Sequence, residues 1–144
     1  MIIRIDQASN TPIYLQIRNQ IVEGIAHEEL VSGDGLPSIR QLASDLGINL
    51  HTVNKAYAVL RDEGYVTMRG RKGAFIADAR VIGSPEQQVA DDERLAVELY
   101  RLALECRARG GSQDCFVELA CKQAKRAFAD SPSSDSRNFS GRLS

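Results

Sequence analysis

The stretch "GINLHTVNKAYAVLRDEG" (47–64) opens on His51, Thr52, Asn54 and Lys55, all able to donate or accept hydrogen bonds, while its apolar residues fall elsewhere. His51, Asn54, Lys55 and Ala58 recur at spacings of 3, 4 and 7, which places them on one face of an α-helix. Val53, Ala56, Tyr57 and Leu60 take much of the other face. An asparagine amide can pair bidentately with the major-groove edge of adenine, and a histidine or lysine can donate to guanine. Each such pair is worth about 1–3 kcal/mol of discrimination between bases. Thr52 adds a hydroxyl for a phosphate or a methyl for a thymine. This is the chemistry of reading a duplex, not of making or breaking bonds.

Two further groups suit a phosphate backbone. Ser38 and Arg40 stand at the start of a helical segment, where exposed N–H groups and the helix dipole favour an anion. Arg69, Arg71 and Lys72 crowd positive charge into one turn, and Gly73 allows its backbone to come close to a duplex, on or in the minor groove. Taken singly these signals are weak, since a polar helix face is commonly just solvated and a basic turn serves solubility. Enzyme chemistry lacks a constellation: no nucleophile–base pair, metal-ligand cluster or phosphate loop can be assembled. His27 and His51 are too isolated for a metal site, and no cofactor is implied. Cys106, Cys115 and Cys121 are odd in number and lack a CxxC spacing, so they read as reduced thiols, small core residues rather than a sensor.

The elements that must carry these residues follow from periodicity. Ile13, Ile17, Ile21 and Ile25, joined by Tyr14 and Val22, form one buried helical stripe. Its start is expected at Ser9, Asn10 or Thr11 as cap, with Pro12 in the first turn. "MIIRI" ahead of it reads as a short strand or an arm, and "VSGDGLP" behind it as a tight turn. Ser38 then caps a helix whose Ile39, Leu42, Ala43 and Leu46 face the core, and Gly47 ends it. After Gly64 the period drops to 2: "YVTMR" and "GAFIA" alternate as strands around the basic turn. The expected fold is mainly α with a small β-hairpin: a winged helix-turn-helix domain plus a short C-terminal two-helix dimerisation and effector domain. The boundaries are an arm over 1–9, the winged domain over 10–78, the two helices over 79–130 and a serine-rich disordered tail over 131–144. Within the winged domain the helix-turn-helix covers about 38–57 and the wing about 65–77.

In the C-terminal part, Leu95, Leu99, Leu102 and Cys106 keep the register of a narrow packing seam. Phe116, Leu119, Ala120, Ala124, Ala127 and Phe128 give a second amphipathic helix. Two such helices are marginal alone. The seam must pack on its sister helix, on the winged domain or on a second chain, and a symmetric homodimer is the economical solution. Dimerisation is therefore assigned to Leu95, Leu99, Leu102, Phe116, Leu119 and Phe128. A cavity among these helices leaves room for a small-molecule effector, although no polar cluster specifies one.

Composition fits this picture. The chain has 144 residues and a formal net charge of −1, so any basic surface is local. No signal peptide opens it and no apolar run reaches the roughly 18 residues of a membrane span. A cytoplasmic protein with no membrane partner is expected, and the sequon at Asn138 is then without meaning.

The segment "PIYLQIRNQIVEGI…GDGLPSIRQLASDLGINLHTVNKAYAVLRDEGYVTMRGRKGAFIA" closely resembles the N-terminal DNA-binding domain of the GntR family of bacterial transcription regulators. The likeness runs over 11–78, and the short C-terminal part resembles the YtrA-like subfamily. The resemblance implies a dimeric repressor binding a palindromic double-stranded DNA operator, with Arg40 of the Ser-x-Arg motif on backbone and base edges and Lys72–Gly73 in the wing. It also implies genes that include an ABC-type transporter operon. Leu50 and Asn54 stand where many members carry arginines, and His51 where the subfamily commonly has asparagine, so the operator sequence is left open. The competing reading is a winged helix used for protein docking, which would not need the basic tip.

Overall fold

The computed structural model describes residues 2–78 and 84–129; the expected tail at 131–144 and the linker stretch at 79–83 lie outside them. The residues group into two compact units, Met1–Ser84 and Pro85–Ser144.

The first unit begins with an arm rather than a strand. Two glutamines of helix α1 (Ile13–Ala26) hold its backbone: Arg4 N donates to Gln20 Oε1 (2.9 Å) and Gln20 Nε2 donates back to the Arg4 carbonyl (2.6 Å). Gln16 repeats the exchange with Asp6, at 2.9 Å in both directions. Side-chain amides thus take the place of a partner strand, and Ile3 and Ile5 pack on the core rim. The start of α1 differs from expectation. Pro12 itself is the boundary residue and no side chain caps the helix, because the Ser9 hydroxyl accepts from Thr11 N (3.1 Å) and closes the preceding turn instead.

Helix α2 (Ile39–Leu46) starts where Ser38 Oγ accepts from Gln41 N (3.1 Å), and it ends at Gly47 in the left-handed region (φ 64°). Helix α3 (Leu50–Asp62) is capped by Asn49, whose side chain accepts from His51 N (2.8 Å). It runs through Leu60, its last buried position, and ends at Asp62, just ahead of Gly64 where the period of the sequence changes. Strands β1 (Val66–Met68) and β2 (Ala74–Ile76) pair antiparallel with Val66 opposite Ile76 and Met68 opposite Ala74. The "VSGDGLP" stretch is more than a turn: Gly35 bridges to Phe75, Ile76 N donates to the Asp34 carbonyl (2.8 Å) and Leu36 N to the Ala74 carbonyl (2.9 Å). It therefore covers the free edge of β2, which would otherwise present unpaired backbone.

The core of this unit is Ile17 and Ile21 of α1, Leu42 and Ala43 of α2, Val53, Ala56, Tyr57 and Leu60 of α3, and Val66, Ala74 and Ile76 of the hairpin. These are the periodic apolar positions of each element, brought to one centre. The second unit is a helical hairpin of α4 (Pro85–Ala108) and α5 (Gln113–Ala127). Gly110 takes φ 89° at the turn, and Ser112 caps α5 by accepting from Cys115 N (3.1 Å).

Candidate nucleic-acid interface

Burial of Val53, Ala56, Tyr57 and Leu60 fixes which side of α3 can face outward. His51, Asn54 and Lys55 lie on the opposite side and are exposed, while Ala58, further along the same ridge, is half-buried. Thr52 is half-buried too, about 100° around the helix from His51, so it flanks the ridge rather than crowning it. Lys55 is not simply extended into solvent: its ammonium lies 4.1 Å from the Tyr14 ring centroid, a cation–π contact with α1.

Two internal ties hold α3 in this attitude. The buried Tyr57 hydroxyl donates to the Pro37 carbonyl (2.7 Å), linking α3 to the turn before α2. Burial raises the Tyr57 pKa above its ordinary range, because the phenolate would lose its water. At the other end the Arg18 guanidinium makes a two-pronged ion pair with Glu63 (Nε–Oε1 3.0 Å, Nη2–Oε2 2.7 Å) and lies 5.7 Å from the Tyr65 ring centroid. The Glu63 hydrogen bond, against partial desolvation, holds the Arg18 pKa above its usual value. Both side chains are about one-fifth exposed, so solvent screens the pair only partly.

Ser38 and Arg40 stand exposed at the start of α2, beside the first turn of the core-facing helix. The Ser38 oxygen is engaged as the helix cap, which leaves its hydroxyl proton as the group it can still donate. The wing tip is a single 3-10 turn, Gly70–Lys72, with Arg69, Arg71 and Lys72 exposed. The Arg69 guanidinium rests 4.8 Å from the Phe75 ring centroid, which aims it along the hairpin. Gly73 takes φ 100° and ψ −156°, a conformation essentially confined to glycine, and it is half-buried. Its glycine is thus required by the turn itself, apart from any approach to a ligand. Among the described residues no ion pair engages Arg40, Lys55, Arg71 or Lys72. The sequence reading missed Tyr14 as a neighbour of the ridge, since it sat in the α1 stripe. It also missed Asn49, although an asparagine just before a periodic segment is a capping signal.

The seam residues of the second unit separate. Leu95, Leu99 and Leu102 remain 56, 42 and 44% exposed, and Leu119 and Phe128 53 and 84%. Phe116 is half-buried and, with Cys106, lines a cleft of about 560 Å³ between α4 and α5 that Tyr100, Leu104, Arg107 and Val117 also border. Among the described residues no cluster of histidine, cysteine and acidic side chains could hold a metal ion. No helix there is long and apolar enough to cross a membrane.

A three-helix core, a helix-turn-helix with an outward second helix, and a two-stranded wing with a basic tip define a winged helix-turn-helix protein. Residues 13–76 match the family described as bacterial regulatory proteins, gntR family. The transcriptional repressor YtrA of Bacillus subtilis is 46% identical over 77 residues, which cover 53% of this chain and 58% of that protein. YtrA from Sulfolobus acidocaldarius, a GntR-family transcription factor of known structure, is 45% identical, with a TM-score of 0.57 over 72% of this chain and 99% of that one. A transcriptional antiterminator from Listeria monocytogenes superposes over 91% of this chain and 96% of its own at a TM-score of 0.76 and 28% identity. The chain belongs to the GntR family and is YtrA-like. That family and these relatives regulate transcription and are not enzymes. The matched stretch spans 62, 58 and 58% of the length of three curated relatives, all HTH-type regulators.

Proposed function

We propose that the chain is a cytoplasmic, homodimeric repressor that binds a palindromic double-stranded DNA operator. The observation that carries this reading is the exposed α3 ridge of His51, Asn54 and Lys55, set opposite a fully buried stripe, in a domain whose wing tip bears three exposed cations. The major groove is about 12 Å wide and admits one α-helix, whose N-terminal residues then meet base edges. Asn54 pairs with adenine and His51 with guanine; Lys55, steadied by Tyr14, donates to guanine or a nearby phosphate. Thr52 flanks them. Ser38 and Arg40 fix the register on the backbone, while Arg69, Arg71, Lys72 and Gly73 lay the wing along the minor groove.

Leu95, Leu99, Leu102, Leu119 and Phe128 supply the dimer interface, with Phe116 supporting it from the cleft side. A small-molecule effector seated in that cleft would change the spacing of the two heads. From the YtrA-like resemblance, the regulated genes include an ABC-type transporter operon. The deciding experiment is selection of bound sequences from random duplex DNA with the full chain. A palindrome with half-sites one helical turn apart, or a multiple of that, is expected. If no duplex is enriched, the ridge serves protein docking and the repressor reading fails.

A further inference from the structure

Within the first unit the large exposed apolar side chains are Ile2 in the arm, Val31 in a loop, Met68 in the wing and Leu50. Only Leu50 belongs to the recognition helix. It is the first residue of α3, 40% exposed, and it is neither part of the core cluster nor among the apolar residues packed against that cluster. The position is one turn before Asn54, so the two side chains are neighbours on the helix surface, about 5–6 Å apart at Cβ. A leucine there lies outside the core cluster and keeps part of its apolar surface in water in the free protein, which costs free energy until something covers it.

The chemistry around it says what would cover it. The helix N-terminal turns are the part of such a helix that reaches base edges. In the major groove an A·T pair presents adenine N6 and N7, which an asparagine amide fits, and across from them the thymine C5-methyl. That methyl is the one apolar feature among the four base edges of ordinary DNA. An amide and an isobutyl group side by side therefore match an A·T pair, or two adjacent ones, and leave a guanine or cytosine edge with an unpaired polar group against leucine.

We propose that Leu50 is a specificity-determining residue: it packs on the C5-methyl of a thymine in each half-site, beside the adenine that Asn54 takes. The proposal deepens the duplex-reading function above and rests on it.

The test uses the full chain and the operator obtained by selection. Each thymine of one half-site is replaced in turn by deoxyuridine, which keeps O4 and base pairing and removes only the methyl. At one thymine the parent protein should bind about fourfold more weakly, the loss of one buried methyl group. Leu50→Ala, which keeps a good helix former at an exposed position, should melt close to the parent and bind the intact operator less tightly. It should be indifferent to deoxyuridine at that same thymine. The proposal is overturned if the parent tolerates every replacement, if Leu50→Ala stays sensitive there, or if the half-site carries no thymine under α3. In those three cases the operator is still bound and the regulator reading stands. Failure to enrich any duplex removes both.

Discussion

At the scale of single residues, the proposed interface divides into groups that would hold position and groups that would read. Arg40 at the head of α2 and Asn54 on the ridge represent the two. Arg40→Ala should weaken binding to operator and random duplex alike and lower the slope of log affinity against log salt by about one. Asn54→Ala should leave that slope alone and relax preference at particular base pairs. Titrations at several salt concentrations, with operator and scrambled DNA, separate the outcomes; two variants that both bind like the parent would refute the docking mode. Tyr57 belongs to neither group, because it is buried and its hydroxyl serves the Pro37 carbonyl. Tyr57→Phe leaves that carbonyl short of a partner and should cost about 1–2 kcal/mol by urea unfolding. The raised pKa also sets a sign. Above the ordinary tyrosine pKa of about 10 the unfolded chain releases this proton while the folded one keeps it, so stability falls as pH rises. Below that pH the contribution is complete. Tyr57→Phe should flatten the alkaline decline, and an unchanged slope between neutral and strongly alkaline pH would mean that the phenol is not buried in solution.

At the scale of elements, what could be read from the sequence and what could not have a common cause. The stripes of α1, α2 and α3 and the alternation in the wing are local periodicities, and the core they build contains the residues those periods select. Pairings between distant segments leave no such mark. Gln16 and Gln20 clamp an arm 10 and 16 residues away, Asp34 and Leu36 cover the edge of β2, and Tyr14 meets Lys55, yet none of these side chains looks unusual in its own neighbourhood. The ridge was legible because exposure is the complement of a buried stripe; the orientation of Lys55 was not, because it depends on another helix. The same distinction separates two glycines. Gly47 occupies the ordinary left-handed well at φ 64° and ψ 37°, whereas Gly73 at φ 100° and ψ −156° lies where side chains are essentially excluded. An added Cβ meets nothing within 4 Å at either position, so only the backbone decides. Gly47→Ala should cost about 1–2 kcal/mol and Gly73→Ala, in the more forbidden region, up to about 3 kcal/mol. Gly73→Ala should also lower affinity for random duplex by disturbing the basic tip. Urea midpoints in the reverse order would show that the wing turn relaxes to a different backbone.

At the scale of the molecule, the two units differ in how far one chain completes them. All the buried side chains described belong to the first unit, between Ile17 and Ala77. Helix α4 instead carries a charged ladder in which Arg94 pairs with Asp91 (3.1 Å) and Arg101 with both Glu98 (2.9 Å) and Glu105 (2.6 Å). The hydrogen bonds that Arg101 donates to Glu98 and then to Glu105 raise its pKa, on a solvated face. Leu95, Leu99 and Leu102 lie beside that ladder, and no described side chain of α4 or α5 is fully buried. Burying a leucine is worth about 1.5–3 kcal/mol, so a second copy laid on this seam would supply what the hairpin lacks. The full chain should therefore sediment as a dimer in analytical ultracentrifugation. Leu99→Glu places an unpaired charge in the seam and should give a monomer whose first unit melts as before. Removal of residues 81–144 should likewise leave a folded monomer. Both should bind the operator far more weakly and should no longer respond to loss of the second half-site, because each head then docks alone. A truncated protein that still sediments as a dimer would move the interface into the winged unit and leave the exposed leucines without a role in assembly.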